Sequence, residues 1–369
     1  MILKNGTVLT EDFKFVNTDI QIENGIITHI GNIKADVMDL KGDYVVPGLV
    51  DIHTHGAAGA DHLDGTPDST AVICEFLANH GTTSILATVM TQSRDMMVRA
   101  CKNAAEFKTD KKAAHIRGIY LEGPFFSYDF KGAQYPDYLC EPDISFLDEI
   151  QKTTKNAVKI ISIAPELKGA LDFIKNVKDV KIFMGHTAAD YETAKKAINA
   201  GACGLTHTFN AMKGLHHREP NIIGAAIESE NVICECICDG FHVHPSIIKL
   251  LYRAVGSERF AVISDSIQTT GLTDGTYTSG GQTVTVKCGR SFLTNSTIAG
   301  SNVTMLDAVR NIVKWNIMPL ENAVYAASAV PAKAAGIFDK VGSISVGKSA
   351  DILILSKDLK LKKVLIDGE

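Results

Sequence analysis

Eight short apolar runs, separated by helix-length intervals, constrain the fold of this chain more than any other feature. They read YVVPGLVDIH (44–53), TTSILATVM (82–90), HIRGIYLEG (115–123), VKIISIAPE (158–166), VKIFMGH (180–186), ACGLTHT (202–208), VICECICDG (232–240) and RFAVISDS (259–266). Near-continuous apolar runs of this length suit strands covered on both faces of a parallel sheet. The intervals carry helical patterns. In SRDMMVRACKNAAEF (93–107), Met96, Met97, Ala100, Ala104 and Phe107 share one side and Ser93 can act as N-cap. Eight β/α units predict an α/β fold, a TIM-like (β/α)8 barrel. A doubly wound sheet is the competing arrangement, but no GxGxxG follows an early strand to favour it.

The chain ends follow another pattern. MILKNGTVLT and TDIQIENGIITHIGN at the start, and GSISVGKSADILILS and LKKVLIDGE at the finish, read as short strands. Asn24-Gly25 between apolar runs signals a hairpin. The two ends are expected to pair as one small β-sandwich domain, 1–47 with 336–369, flanking a barrel over 48–335.

Composition excludes several classes of partner. A net charge of -5 gives no basic footprint for nucleic acid. No apolar stretch approaches the ~20 residues that span a bilayer. The N-terminus lacks the apolar core of a secretory signal, so a cytoplasmic location is expected. Eight scattered cysteines form no CxxC pair. Cys234, Cys236 and Cys238 alternate along one strand and read as buried small residues rather than as thiolate ligands.

In a TIM barrel the chemistry sits at the C-terminal ends of the strands. Here the first strand ends at His53 and His55, two positions apart and therefore on one side of a strand. The third ends at Glu122, the fifth at His186, the sixth at His207 and the eighth at Asp265, and the seventh leads into His242. Any one of these alone is more often a hydrogen-bonded structural residue. Four histidines and two carboxylates converging on one mouth can hold one or two first-row divalent metals. Glu122 is placed to bridge two ions, and Asp265 to act as general base on a metal-activated water.

Longer motifs then carry a resemblance. PGLVDIHTHG and VGSISVGKSADILIL resemble the metal-dependent amidohydrolase superfamily. LEGPF, GHTAA, THTFNAM, HHREPN, DGFHVHP, IAGSNVTMLDAVRN and ASAVPAKAAGI, in that order along the chain, resemble its N-acetylglucosamine-6-phosphate deacetylase family. The resemblance implies metal-dependent hydrolysis of N-acetyl-D-glucosamine 6-phosphate to glucosamine 6-phosphate and acetate, in amino-sugar catabolism. It implies that Glu122, His186 and His207 bind a divalent metal (zinc, iron or manganese), that His53 and His55 allow a second, and that Asp265 is the catalytic acid/base. Asn210, Ala211 and Ile298, Ala299, Gly300 correspond to sugar-lining positions, and Arg218 and His242 to phosphate-contacting ones. A homodimer is expected, in which the neighbouring subunit's Arg218 completes the phosphate site.

One departure stands out. Well-studied members have a histidine on the acetamide in a KGxHNP stretch; this chain, like some other members, has glutamine instead, in KGAQYP, placing Gln134 there beside Ala133. Gln can donate a hydrogen bond to a carbonyl but carries no charge. That leaves room for a related N-acetyl-amino-sugar phosphate. Two rival readings remain: another amidohydrolase activity, or a non-catalytic homologue, whose mark would be loss of Asp265 or of several ligands.

Overall fold

The computed structural model describes residues 1–34, 38–109, 112–279 and 282–369. All eight expected strands form one parallel sheet, in spatial order eight to one: Phe260–Ile263, Ile233–Ile237, Gly204–Leu205, Lys181–Met184, Val158–Ile163, His115–Glu122, Thr82–Met90 and Leu49–Thr54. The sheet curls until its edges meet just past the strands. Thr54 bridges Ser266, the Asp265 N–H donates to the His53 carbonyl at 2.9 Å, and the His55 N–H donates to that of Ser266 at 2.8 Å. Helices occupy every interval, and two more, Met305–Lys314 and Leu320–Ala334, follow the eighth strand. The fold is a (β/α)8 barrel. No helix among the described residues is long and apolar enough to cross a membrane.

The apolar run 44–53 is one stretch in the sequence and two strands in the fold. Tyr44–Pro47 pairs with Ile2–Leu9 and Ile352–Leu355 in a separate seven-stranded sheet, whereas Leu49–Thr54 enters the barrel. Gly48 is the crossing point. A Cβ there would lie 2.1 Å from Thr83 Oγ1, so only glycine lets the chain pass so close to the second barrel strand. The seven-stranded sheet unites the two chain ends. Its hydrogen-bonded path runs from Leu361–Leu365 through Ile352–Leu355, Tyr44–Pro47, Ile2–Leu9 and Phe15–Glu23 to Ile26–Gly31, the last two joined at Asn24-Gly25. It has its own core, including Leu3, Ile20, Val45, Ile352 and Leu365.

Helix Arg94–Glu106 starts after Ser93, but the Ser93 side chain makes no capping bond. Its buried face is Met97, Ala100, Cys101 and Ala104 rather than one including Met96 and Phe107. Cys234, Cys236 and Cys238 are fully buried in the main core. Burial pushes the Cys234 thiol up to about 12, so it stays protonated and packs as a small apolar group.

A three-stranded antiparallel sheet, Gly275–Ser279, Gln282–Lys287 and Arg290–Leu293, was not anticipated. It follows the eighth strand and lies over the mouth of the barrel. Val284 packs with Ile267 and Ala299, and Gln282 Nε2 donates to the Ala133 carbonyl at 2.9 Å.

Candidate active site

The strand ends deliver six side chains to one place. His53 and His55 leave the first strand on the same side, as a period of two requires. Three of the others stand on strained backbone: His186, His207 and Asp265 have φ of 46°, 29° and 48°. Positive φ is costly for residues with a Cβ and is held only where the surroundings over-determine it. Here each sharp turn at a strand end swings the side chain over the barrel mouth.

Glu122 is the centre of the cluster. His207, His186 and His53 bring Nε2 to 3.0, 3.2 and 3.3 Å from its Oε1, and His55 brings Nε2 to 3.3 Å from its Oε2. Asp265 Oδ1 lies 3.5 Å from His53 Nε2 and 3.4 Å from His55 Nε2. Two ligand triads result, His53/His55/Asp265 and Glu122/His186/His207, and within each the ligating atoms lie within 4.8 Å of one another.

Tautomers decide whether a cation fits. His186 Nδ1 lies 3.0 Å from the Phe130 carbonyl, which can only accept, so Nδ1 carries the hydrogen. His53 Nδ1 lies 3.1 Å from the Glu235 carboxylate and is fixed the same way. In the neutral rings both Nε2 lone pairs then face carboxylate oxygens, and His186 Nε2 is also 3.0 Å from His207 Nε2. Lone pairs converging on carboxylates need a positive charge among them. Protons can supply it, and a divalent cation suits the whole donor set better.

The protonation pattern agrees. Burial pushes the Glu122 carboxyl up, but the His55 charge and the hydrogen bonds of His186 and His207 overcome it and hold it well below the usual range. Burial pushes the two histidines of the first strand down. Glu235 and Glu122 outweigh this at His53 and raise it well above normal. Glu122 and Asp265 do so at His55, drawing it up to about 9. Without metal this site binds protons, and a cation must displace them.

A cavity of about 270 Å³ opens directly over the cluster. His55, Glu122, His186, His207 and Asp265 line its floor, whereas His53 lies beneath with no exposure. Ala133, Gln134, Asn210, Ala211, His242 and the stretch Ile298, Ala299, Gly300 form its walls, with Val284 and Leu293 of the antiparallel sheet. His242 Nδ1 bonds Asp239 Oδ2 at 2.7 Å, and Asp239 also accepts the backbone N–H groups of Phe241 and His242.

Of two further expected residues, Gln134 lines the cavity and Arg218 lies outside it. Gln134 is buried, its Oε1 accepts the Thr91 N–H at 2.8 Å and its Nε2 donates to Glu122 Oε2. Its amide thus bonds Glu122 at the edge of the cavity. Arg218 does not line the cavity. It lies on an exposed loop beside Asp190, Lys213 and Glu219, in a turn closed by mutual backbone bonds of His216 and Glu219. Sequence reasoning missed Glu235, Asp61 and Gln282. Asp61 is buried at the cavity edge, and Oδ1 accepts the Leu63 N–H.

The chain matches a family described as the amidohydrolase family over residues 44–369. It is 37% identical over 353 residues to the N-acetylglucosamine-6-phosphate deacetylase of Vibrio furnissii, covering 94% of this chain and 88% of that one. It is 33% identical over 371 residues to the N-acetylgalactosamine-6-phosphate deacetylase of Escherichia coli O157:H7, covering 100% and 98%. Among solved structures, a mutant of N-acetyl-D-glucosamine-6-phosphate deacetylase from Mycobacterium smegmatis, in complex with N-acetyl-D-glucosamine-6-phosphate, superposes with a TM-score of 0.94. That pair is 32% identical, and the match covers 100% of this chain and 98% of the other.

Proposed function

Because this chain belongs to the amidohydrolase family, we infer that its site hydrolyses the acetamide of N-acetylglucosamine 6-phosphate, giving glucosamine 6-phosphate and acetate. The observation that carries this reading is Glu122 set among four imidazoles, with Asp265 beside it on the floor of a sugar-sized cavity. A non-catalytic homologue would not keep this constellation intact.

Glu122, His186 and His207 would hold one divalent cation, and His53, His55 and Asp265 a second; zinc, iron and manganese all suit this donor set. A cation there would make a bound water far more acidic, titrating near neutral pH, and would polarise a carbonyl oxygen. The chain's own residues do the rest. Asp265 reaches the cavity with 8% of its surface and can take a proton from the attacking water. The water oxygen bonds to the acetyl carbon, the C–N bond breaks, and Asp265 passes the proton to the leaving nitrogen. Gln134 holds Glu122 in register from the side. His242, anchored on Asp239, presents its other ring nitrogen to the cavity for the 6-phosphate.

The direct test is acetate release from a panel of N-acetyl sugars with and without 6-phosphate, including both C4 epimers. Release from N-acetylglucosamine 6-phosphate well above its unphosphorylated form is expected. Preference for N-acetylgalactosamine 6-phosphate would favour the second reading, which the Escherichia coli relative supports. Absence of release from any acetylated sugar phosphate would refute both.

Arg218 enters this scheme only through a second copy of the chain, since it lies outside its own cavity. We place it on the phosphate of the partner's substrate in a cytoplasmic homodimer. Its planar fork bonds phosphate oxygens bidentately. Truncating one partner of a desolvated charge pair costs roughly 2–5 kcal/mol, so Arg218→Ala should lower kcat/KM on the phosphorylated sugar by at least about tenfold. The already low rate on the unphosphorylated sugar should barely change. Equal losses on both, or a monomer in sedimentation, would remove Arg218 from the site.

A further inference from the structure

Among the described residues, Glu235 is the one carboxylate bonded to both triads without belonging to either. It sits between Cys234 and Cys236 on the seventh strand with no exposure. The cysteines pack in the main core, and a period of two turns Glu235 to the opposite face, into the barrel. There its Oε2 lies 3.1 Å from His53 Nδ1 and accepts the His207 backbone N–H at 3.0 Å. Its own carbonyl accepts the Thr208 N–H at 2.9 Å. One side chain thus orients a ring of the first triad and pins the strained backbone, φ 29°, that carries a ring of the second.

Its charge is otherwise uncompensated. Among the described residues His53 is its only ion-pair partner, and Oε1 has no hydrogen-bond partner at all. A fully buried carboxylate in that state is costly unless positive charge lies close by. The imidazole supplies the route. Nδ1–H is held by Glu235, so Nε2 is the lone-pair side, and it faces Glu122 and Asp265, where a cation would sit.

We propose that Glu235 is a positioning residue for the cation held by His53. It fixes the ring's tautomer and direction, raises its strength as a ligand, and has its own charge balanced across the ring by that cation. The proposal rests on the two-cation part of the function proposed above. Partners behind a metal-bound histidine typically contribute 10–100-fold in metal affinity.

The test titrates metal-free wild type, Glu235→Gln and Glu235→Ala with Co(II), following visible absorption and counting ions per chain by elemental analysis. The Gln side chain still offers an oxygen to His53 Nδ1–H and to the His207 N–H, so it removes charge while keeping shape. Two ions are expected in wild type. In Glu235→Gln one should bind as in wild type and the other about 10–100-fold more weakly. Glu235→Ala should lose that ion altogether. Two ions at wild-type affinity in both variants would overturn the role of Glu235 alone. Equal weakening of both ions in Glu235→Gln would mean general loosening and overturn it too. A wild type that never exceeds one ion would instead overturn the two-cation reading, and this proposal with it. Should Glu235→Ala fail to fold, Glu235→Gln decides the matter.

Discussion

Asp265→Asn should leave the fold and the cation at Glu122, His186 and His207 in place and lower turnover by about 10²–10⁴-fold, the range that general acid–base groups contribute. The substitution is close to isosteric, and the backbone at this position makes its own bonds. The N–H donates to the His53 carbonyl at 2.9 Å and the carbonyl accepts the Ser301 N–H at 2.8 Å, neither through the side chain. At φ 48° the backbone is left-handed, and asparagine tolerates that conformation better than most residues. Folding should therefore survive. What is lost is the proton acceptor, because an amide oxygen cannot take and return the water's proton at neutral pH. Burial raises the Asp265 carboxyl, but the hydrogen bond from His55 and the charges of His53, His55 and His207 overcome it and hold it below its ordinary 3.8. The sign follows directly: the base form persists as pH falls until below the usual carboxylate range. This group should impose no acid limb on kcat between pH 5 and 7. Near-normal turnover with metal retained would move the base elsewhere.

The barrel was legible because parallel strands buried on both faces write themselves as apolar runs, and even the two-residue strand Gly204–Leu205 was framed by its neighbours. The five other side chains of the cluster were legible, with Asp265, as polar residues at the ends of such runs. What escaped has physical reasons. Tyr44 apart, every residue of Tyr44–Pro47 and Leu49–Thr54 is buried, so hydropathy does not register the change of sheet at Gly48; the approach of Thr83 reveals it. Glu235 was hidden by the cysteines on either side, although the alternation that turned them to one face also turned a lone acid to the other. The alternating QTVTVK and its neighbours carried a strand signal, but at the tail of a barrel pattern it was left unassigned. Gln134 was legible as a cavity residue, but its bonds to Glu122 and to the Thr91 N–H were not, since sequence order cannot say which nearby groups an amide will meet. Arg218 shows the hardest boundary: a motif places it in the sequence, but it stands on an exposed loop outside the cavity, and no hydropathy pattern fixes where such a loop lies.

Glu122→Gln should abolish activity by a different route, through loss of metal. Four imidazole Nε2 atoms lie within 3.3 Å of this carboxylate, two from each triad. An amide of the same shape removes the charge on which both cations depend. It would also aim an N–H₂ or a weaker carbonyl acceptor at rings now oriented to meet an anion. Binding to the native state stabilises by RT ln(1 + [L]/Kd), about 4.1 kcal/mol at a thousandfold excess over Kd. Wild type should therefore lose several degrees of Tm when a chelator strips the metal, whereas Glu122→Gln should hold little metal and show almost no chelator shift. The proton-loaded state should weaken as well. His55 is raised to about 9 chiefly by Glu122 and Asp265, against the pull of burial, so removing Glu122 lowers it towards its unfolded value. In stripped wild type that histidine's contribution is full below about pH 6.5 and is lost as pH rises through about 9; in stripped Glu122→Gln the decline should be shallower. The contrast with Asp265→Asn is what makes the pair informative, one variant keeping the cation at Glu122, His186 and His207 without turnover and the other keeping neither. Elemental analysis showing wild-type metal content in Glu122→Gln, with an unchanged chelator shift, would remove Glu122 from the centre of the site.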